Sequence, residues 1–190
     1  MKKFGIILIG AVILLLGFIL FGPSRTIPNG KPATNLSKTM TITSSAFEHN
    51  GKIPKKYTCD GSPPAGGINP PLTISGVPEG AKSLVLIVDD PDAPNGTFVH
   101  WVLYGIGPNT KEIPEGIGGK IGFTGQTSRG KMEYGGPCPP SGAHRYFFKL
   151  YALDFEHFPL YETSPKKEEI EIDMQGHILD QTELIGIYER

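Results

Sequence analysis

Several absences narrow the function of this chain before any motif is read. No basic run occurs in its globular part, and 18 basic against 19 acidic residues leave a net charge of −1. Electrostatics therefore gives no reason to expect a nucleic-acid partner. No Gly-x-Ser-x-Gly elbow surrounds Ser128 or Ser141, and Cys138 sits among prolines rather than at a helix amino-terminus that would activate it. A hydrolytic nucleophile is thus missing. The His and Asp residues lack the tight local spacing of a metal motif, so two His and one Asp binding zinc or iron is a weaker reading than a metal-free site. No enzyme activity and no cofactor are expected. There is no internal repeat, and with 190 residues one domain of ordinary size fits where two would be cramped.

Charge is also absent from Phe4 to Gly22, directly after Lys2 and Lys3. That run is about long enough to span a bilayer. Residues 1–22 read first as a signal anchor with a transmembrane helix, and second as a cleaved signal peptide ending at Gly22-Pro23-Ser24. No Cys lies there to carry a lipoprotein anchor. The charge asymmetry across the run predicts a cytoplasmic amino-terminus and an extracytoplasmic domain, or a secreted one after cleavage. Residues 23–38, rich in Pro, Asn, Gly, Ser and Thr, read as a flexible linker, and the domain is expected over 39–190.

Frequent Gly (25) and Pro (18) interleave with apolar runs, which predicts a loop-rich, mainly β domain. Alternation over Thr39–Phe47 suits a half-buried strand, and Leu72-Thr73-Ile74 permits a short one. Ser83–Val88 and Phe98–Ile106 read as buried strands paired antiparallel across the Pro- and Gly-bearing connection. Asp90 and His100 would then be neighbours at one end of that hairpin. Asp92 and Pro94 support this loop, although Asp-Pro-Asp-Ala-Pro also suits a turn with no function. Trp101 is expected on the face opposite His100, in the core.

Pro108–Gly136 reads as an extended loop with one brief strand, ending in Tyr134-Gly135-Gly136-Pro137-Cys138-Pro139-Pro140. Its glycines can bring backbone N–H groups close to an anion; a rigid Pro-rich turn with no ligand is the other reading. His144–Leu153 is the clearest strand, with His144, Tyr146, Phe148, Leu150 and Ala152 on one face, and Arg145 on the other, suited to a structural ion pair. Ser164 and Pro165 predict the cap and first position of a single short helix burying Ile170, Met174 and Ile178. Glu183–Tyr188 can close the fold as a last strand. His49, His157 and His177 show no partner pattern.

Asp90, His100, His144 and Tyr146 each fall at a strand end, where sites on β scaffolds are commonly built. Imidazoles and a Tyr hydroxyl can donate to an anion while Asp90 accepts from a cationic or hydroxylic group on the same ligand. Cys59 and Cys138 are expected to form a disulfide if the domain lies outside the cytoplasm, worth about 4 kcal/mol by chain entropy, and to stay free thiols otherwise.

Taken together, Asp-Pro-Asp-Ala-Pro at 90 to 94, His100-Trp101, Gly-Pro-Cys-Pro-Pro at 136 to 140 and His144-Arg145-Tyr146 resemble the phosphatidylethanolamine-binding protein family, which includes the Raf kinase inhibitor proteins. The resemblance runs from about Thr39 to Arg190, and the carboxy-terminus is similar to the bacterial and archaeal branch. It implies a large central antiparallel sheet packed on a smaller sheet, and a small anion pocket. The pocket residues it implies are Asp90, His100, His144 and Tyr146, with Gly136, Pro137, Cys138 and Pro139 as the phosphate-contacting loop. Cys138 stands where animal relatives commonly have Gly. The expected ligand is a small anion or phospholipid headgroup; the alternative the resemblance implies is inhibition of a serine protease, or regulation of another protein, through exposed loops.

Overall fold

The computed structural model describes residues 39–61, 67–117 and 121–190. The expected anchor over 1–22 and the linker over 23–38 lie outside the described residues. No helix among the described residues is long and apolar enough to cross a membrane.

Among the described residues nine strands and one α-helix follow in order, with a 3-10 turn at Lys55–Tyr57: β1 (Thr41–Thr43), β2 (Gly51–Lys52), β3 (Leu72–Ser75), β4 (Ser83–Asp90), β5 (Phe98–Ile106), β6 (Glu112–Ile113), β7 (Phe123–Thr124), β8 (Ala143–Leu153), α1 (Lys167–Asp173) and β9 (Ile178–Glu189). They form a large sheet ordered β2-β9-β8-β4-β5-β7 and a small sheet ordered β1-β3-β6. Every pairing is antiparallel except that of β2 with β9. β4 lies at the middle of the large sheet and is buried along its whole length, because both faces of the sheet are covered.

On one face, Leu84, Leu86, Val88, Leu103, Phe148 and Leu150 pack with Met40, Ile42, Leu72, Ile74 and Ile113 of the small sheet and its approach. On the other, Val85, Ile87, Val99 and Val102 pack with Ile170 and Met174 of α1. The period of two along β4 thus divides its side chains between two cores, and its last two residues part in the same way. Asp89 turns toward α1, where Lys149 and Lys167 bring ammonium groups within 2.9 and 3.1 Å of its carboxylate. Asp90 turns the other way, into the site described below.

The expected β class and sheet-on-sheet packing are observed, with four corrections. First, Ser164 does not cap the helix: its hydroxyl donates to the Thr124 carbonyl at 3.0 Å, tying the segment to β7. The helix begins three residues later, at Lys167, with the Glu169 carboxylate accepting the Lys166 amide. Second, Ile178 is the first residue of β9 and is exposed, since the helix has ended at Asp173 and Gly176 adopts φ +79° before the turn into the strand. β9 therefore runs longer than Glu183–Tyr188. Third, β1 is only three residues long, the chain leaving the sheet where Ser44 donates to the Pro71 carbonyl. Fourth, the Pro108–Gly136 loop holds two brief strands, one joining each sheet.

Gly186 on β9 sits directly opposite Tyr146 on β8. A Cβ there would fall 2.5 Å from Ile53 Cγ1 and 2.8 Å from the Phe47 ring. Gly186→Ala is expected to lower unfolding free energy by about 1–3 kcal/mol through overpacking; a urea titration showing no shift in midpoint would contradict this packing.

Candidate functional site

Asp90, His100, His144 and Tyr146 converge at one end of the large sheet, on the face shared with the small sheet. All four are buried, at 3, 3, 8 and 0 % exposure. Tyr146 and His144 reach it by the alternation of β8, as expected from sequence. Asp90 reaches it as the last residue of β4, and its direct partner is His144 rather than His100. Oδ2 of Asp90 accepts from His144 Nδ1 at 2.8 Å, while Oδ1 accepts the Asp92 amide at 2.9 Å. A turn residue thus fixes the carboxylate that fixes the imidazole.

His100 arrives by a different device. Val88 pairs with Trp101 and Asp89 with Val99, so His100 is an extra residue in β5, a β-bulge. The bulge corrects the expected opposition of His100 and Trp101. Val99 and Val102 pack toward α1, whereas Trp101 packs in the other core against Tyr134 and His100 meets the Tyr146 ring at 5.2 Å. Both residues therefore face the same side. Trp101 is core, as expected.

His100 Nδ1 donates to the Gly135 carbonyl at 2.7 Å, and the Gly135 amide donates back to the His100 carbonyl at 2.8 Å. This ties the Gly/Pro loop to β5 and consumes one of its amides. Gly136, Pro137 and Pro139 are buried and Cys138 is half-buried. The Cys59–Cys138 disulfide is formed, closing a span of 79 residues. Beside it the Cys59 amide donates to the Pro137 carbonyl at 3.0 Å and the Tyr134 hydroxyl to the Tyr57 carbonyl at 2.9 Å. The loop over the cluster is thereby held from two sides.

Burial lowers the affinity of His100 for a proton below the usual histidine range, with the Gly135 bond and Asp90 opposing. Burial likewise raises Tyr146 above the usual tyrosine range, with Asp90 adding and the Cys138 amide opposing. The buried Tyr146 hydroxyl makes no hydrogen bond within 3.5 Å among the described residues, the Cys138 amide and the Asp90 carboxylate lying near it at longer range.

The supporting residues divide. Asp92 turns outward, where the Arg145 guanidinium meets it through Nη2 at 2.7 Å and Nε at 2.9 Å. That contact holds the Asp92 carboxyl down at about 2, and it is the ion pair expected of Arg145. Pro94 is exposed at the turn. His49 accepts the Ile185 amide, and His177 pairs with Asp154, both at the surface. Sequence reasoning missed the Asp89, Lys149 and Lys167 cluster; the signal was present in Asp89 following an unbroken apolar run, since a carboxylate that deep needs cations. It also missed Asp60, which accepts from Tyr188 at 2.8 Å and from Arg190 at 3.0 Å beside the disulfide. Among the described residues no group of three His, Cys, Asp or Glu is placed to hold a metal. A surface cavity of about 880 Å³ lies elsewhere, lined by Tyr104, Phe123, Phe158 and Tyr161.

A two-sheet β fold with this cluster at a sheet end defines the class, and the chain belongs to the phosphatidylethanolamine-binding protein family, whose family model matches residues 43–189. A UPF0098 protein of Archaeoglobus fulgidus is 45% identical over 162 residues, covering 82% of this chain and 53% of that protein. The chain thus spans about half of that relative's length. A UPF0098 protein of Methanothermobacter thermautotrophicus is 44% identical over 158 residues, covering 80% of this chain and 99% of that protein. Among solved structures, a putative phosphatidylethanolamine-binding protein homolog from Chlamydia trachomatis is similar with a TM-score of 0.73 and 42% identity, covering 81% of this chain and 99% of its own. Escherichia coli YbcL, described as a new member of the mammalian family, follows at 0.70 and 28% identity, covering 80% and 98%.

The lowered proton affinity of His100 has a consequence for stability. The unfolded chain protonates this residue near pH 6.5, the folded chain only at lower pH, so the unfolded state binds more protons in that window. Its contribution is full above about pH 6.5 and is lost as pH falls below it. Denaturation midpoints measured from pH 7 to 5 should fall more steeply for the natural protein than for His100→Asn; equal slopes would refute the assignment.

Proposed function

We propose that this domain binds a small anion or phosphorylated headgroup at Asp90, His100, His144 and Tyr146, without catalysing a reaction on it. The observation that carries the reading is the buried Tyr146 hydroxyl, which makes no close hydrogen bond among the described residues, beside two imidazoles and the Asp90 carboxylate. Leaving a buried polar group unpaired costs on the order of 1–3 kcal/mol, a cost that a ligand oxygen removes. The two rings and the hydroxyl supply contacts to an oxyanion, and the Asp90 carboxylate, hydrogen-bonded to His144, suits a ligand that also carries an amine. No side chain here is arranged as a nucleophile with its base, which supports binding over turnover. Membership of the family and the likeness to the Chlamydia trachomatis homolog support the same reading.

We further propose that the domain works outside the cytoplasm, tethered through residues 4–22. The Cys59–Cys138 disulfide supports an oxidising compartment.

Calorimetric titration with phosphorylethanolamine tests the site. His144→Ala is expected to abolish binding. Tyr146→Phe should weaken it about tenfold or more, the worth of one hydrogen bond to a charged group, while leaving thermal stability unchanged or slightly raised. Undiminished affinity in Tyr146→Phe would remove the central support of this reading.

A further inference from the structure

On the opposite face of the large sheet from the Asp90 cluster, four aromatic side chains meet around Tyr104. Tyr104 of β5 packs with the core beneath α1, not with the small sheet. Strand register sets it opposite Phe123 of the edge strand β7, with ring centroids 5.5 Å apart. The chain between β8 and α1 adds Phe158 at 5.1 Å and Tyr161 at 5.9 Å, their planes turned 71° and 89° from that of Tyr104. An edge-to-face contact engages the face of only one ring of the pair, so π surface is left for an occupant. The four rings line a cavity of about 880 Å³, a size that suits a small-molecule ligand.

Phe123 lies over Gly105, where a Cβ would come within 3.1 Å of the ring, and covering an edge glycine is a sufficient structural role for one aromatic. That role leaves Phe123 66 % exposed and Leu160, on the same cavity, wholly exposed. Two further observations point to what the lining receives. The first is charge: Glu156 and Glu162 line the cavity, and no Lys or Arg does so among the described residues. The one ion-pair partner of Glu156 among those residues is the exposed His157, at 3.7 Å. A third carboxylate, Asp173, accepts the Tyr161 hydroxyl and fixes that ring. The second is a contrast with rings elsewhere in the domain. Tyr57 carries the Lys56 ammonium over its ring, Phe98 carries Arg129, and Phe147 carries both Arg145 and Lys149. None of the four rings around the cavity is met by a cation of the protein among the described residues.

Ring quadrupoles and nearby carboxylates together attract a positive group. Aromatic walls return no strong hydrogen bond to an N–H, so a primary ammonium entering here loses water contacts that a quaternary one never made. Glu156 and Glu162 are exposed, where a salt bridge to a primary amine is worth little. We propose that the cavity lined by Tyr104, Phe123, Phe158 and Tyr161 binds a small molecule bearing a quaternary alkylammonium group. The proposal is independent of the anion-binding reading, since the two sites share no residue and lie on opposite faces of the sheet.

Three probes built on the same two-carbon alcohol test it: choline, its neutral tert-butyl analogue neohexyl alcohol, and the primary amine ethanolamine. Each is titrated into the full chain in dodecyl maltoside, which keeps the apolar residues 4–22 dispersed. Free probe is fixed by dialysis, and binding is read from amide shifts in proton–nitrogen correlation spectra. Choline should shift Gly105, Phe123 and Glu162 saturably and bind at least about tenfold more tightly than either analogue, the order of a desolvated cation–π interaction. Phe123→Leu keeps an apolar cover on Gly105 but removes the ring; it should weaken choline about threefold or more and leave neohexyl alcohol within about twofold. Choline bound no more tightly than neohexyl alcohol overturns the proposal in favour of a plain apolar groove, and equal or tighter binding of ethanolamine overturns it as well. Undiminished choline affinity in Phe123→Leu, or shifts confined to residues outside the cavity, has the same force. So does the lack of saturable choline binding to a chain whose spectrum is that of the folded domain.

Discussion

Two carboxylates side by side at the end of a fully buried strand are the constraint on which the rest of this domain turns. Asp89 and Asp90 close β4, the middle strand of the large sheet, and neither has solvent to stabilise its charge. An unpaired buried charge costs several kcal/mol, so each must be met by the protein. Because adjacent residues of a strand point to opposite faces, the two solutions lie on opposite sides of the sheet. On one side Asp89 gathers Lys149 of β8 and Lys167 of α1, which docks the helix. On the other, Asp90 gathers His144 and the Asp92 amide, which orders the site.

This division separates the charge that docks the helix from the charge that orders the cluster. At Asp89 both lysines face the carboxylate, and Lys167 is also shared with Glu171 at 3.4 Å. Around Asp90 the satisfaction is partial, since the carboxylate is met but the Tyr146 hydroxyl is not. The loop above is then held by a covalent bond at Cys138 and by the two-way hydrogen bonding of His100 with Gly135. Rings that are already hydrogen-bonded on one nitrogen are held in a fixed orientation.

Much of this was legible in the chain because the relevant signals are local. The uninterrupted apolar run of Ser83–Val88 can only be a strand covered on both faces, and the alternation of β8 correctly put His144 with Tyr146 and set Arg145 apart. Where sequence reasoning failed, a distant partner had overridden a local preference. Ser164 has the chemistry of a helix cap, yet its hydroxyl is taken by Thr124, forty residues earlier. Strict alternation would separate His100 from Trp101, but the β4–β5 pairing inserts His100 as a bulge and turns both to one face.

The sequence alone determined the β class, the short helix with Ile170 and Met174 on its buried side, and the set of residue types a site would draw on. Those follow from periodicity and composition, which are properties of neighbouring residues. Tertiary structure decided which of those residues meet. That His144 rather than His100 pairs with Asp90, that both imidazoles spend Nδ1 on the protein, and that Cys59 reaches Cys138 depend on strand register and on a bulge. Register is settled only when whole sheets pack, because a one-residue slip exchanges every side chain between core and site.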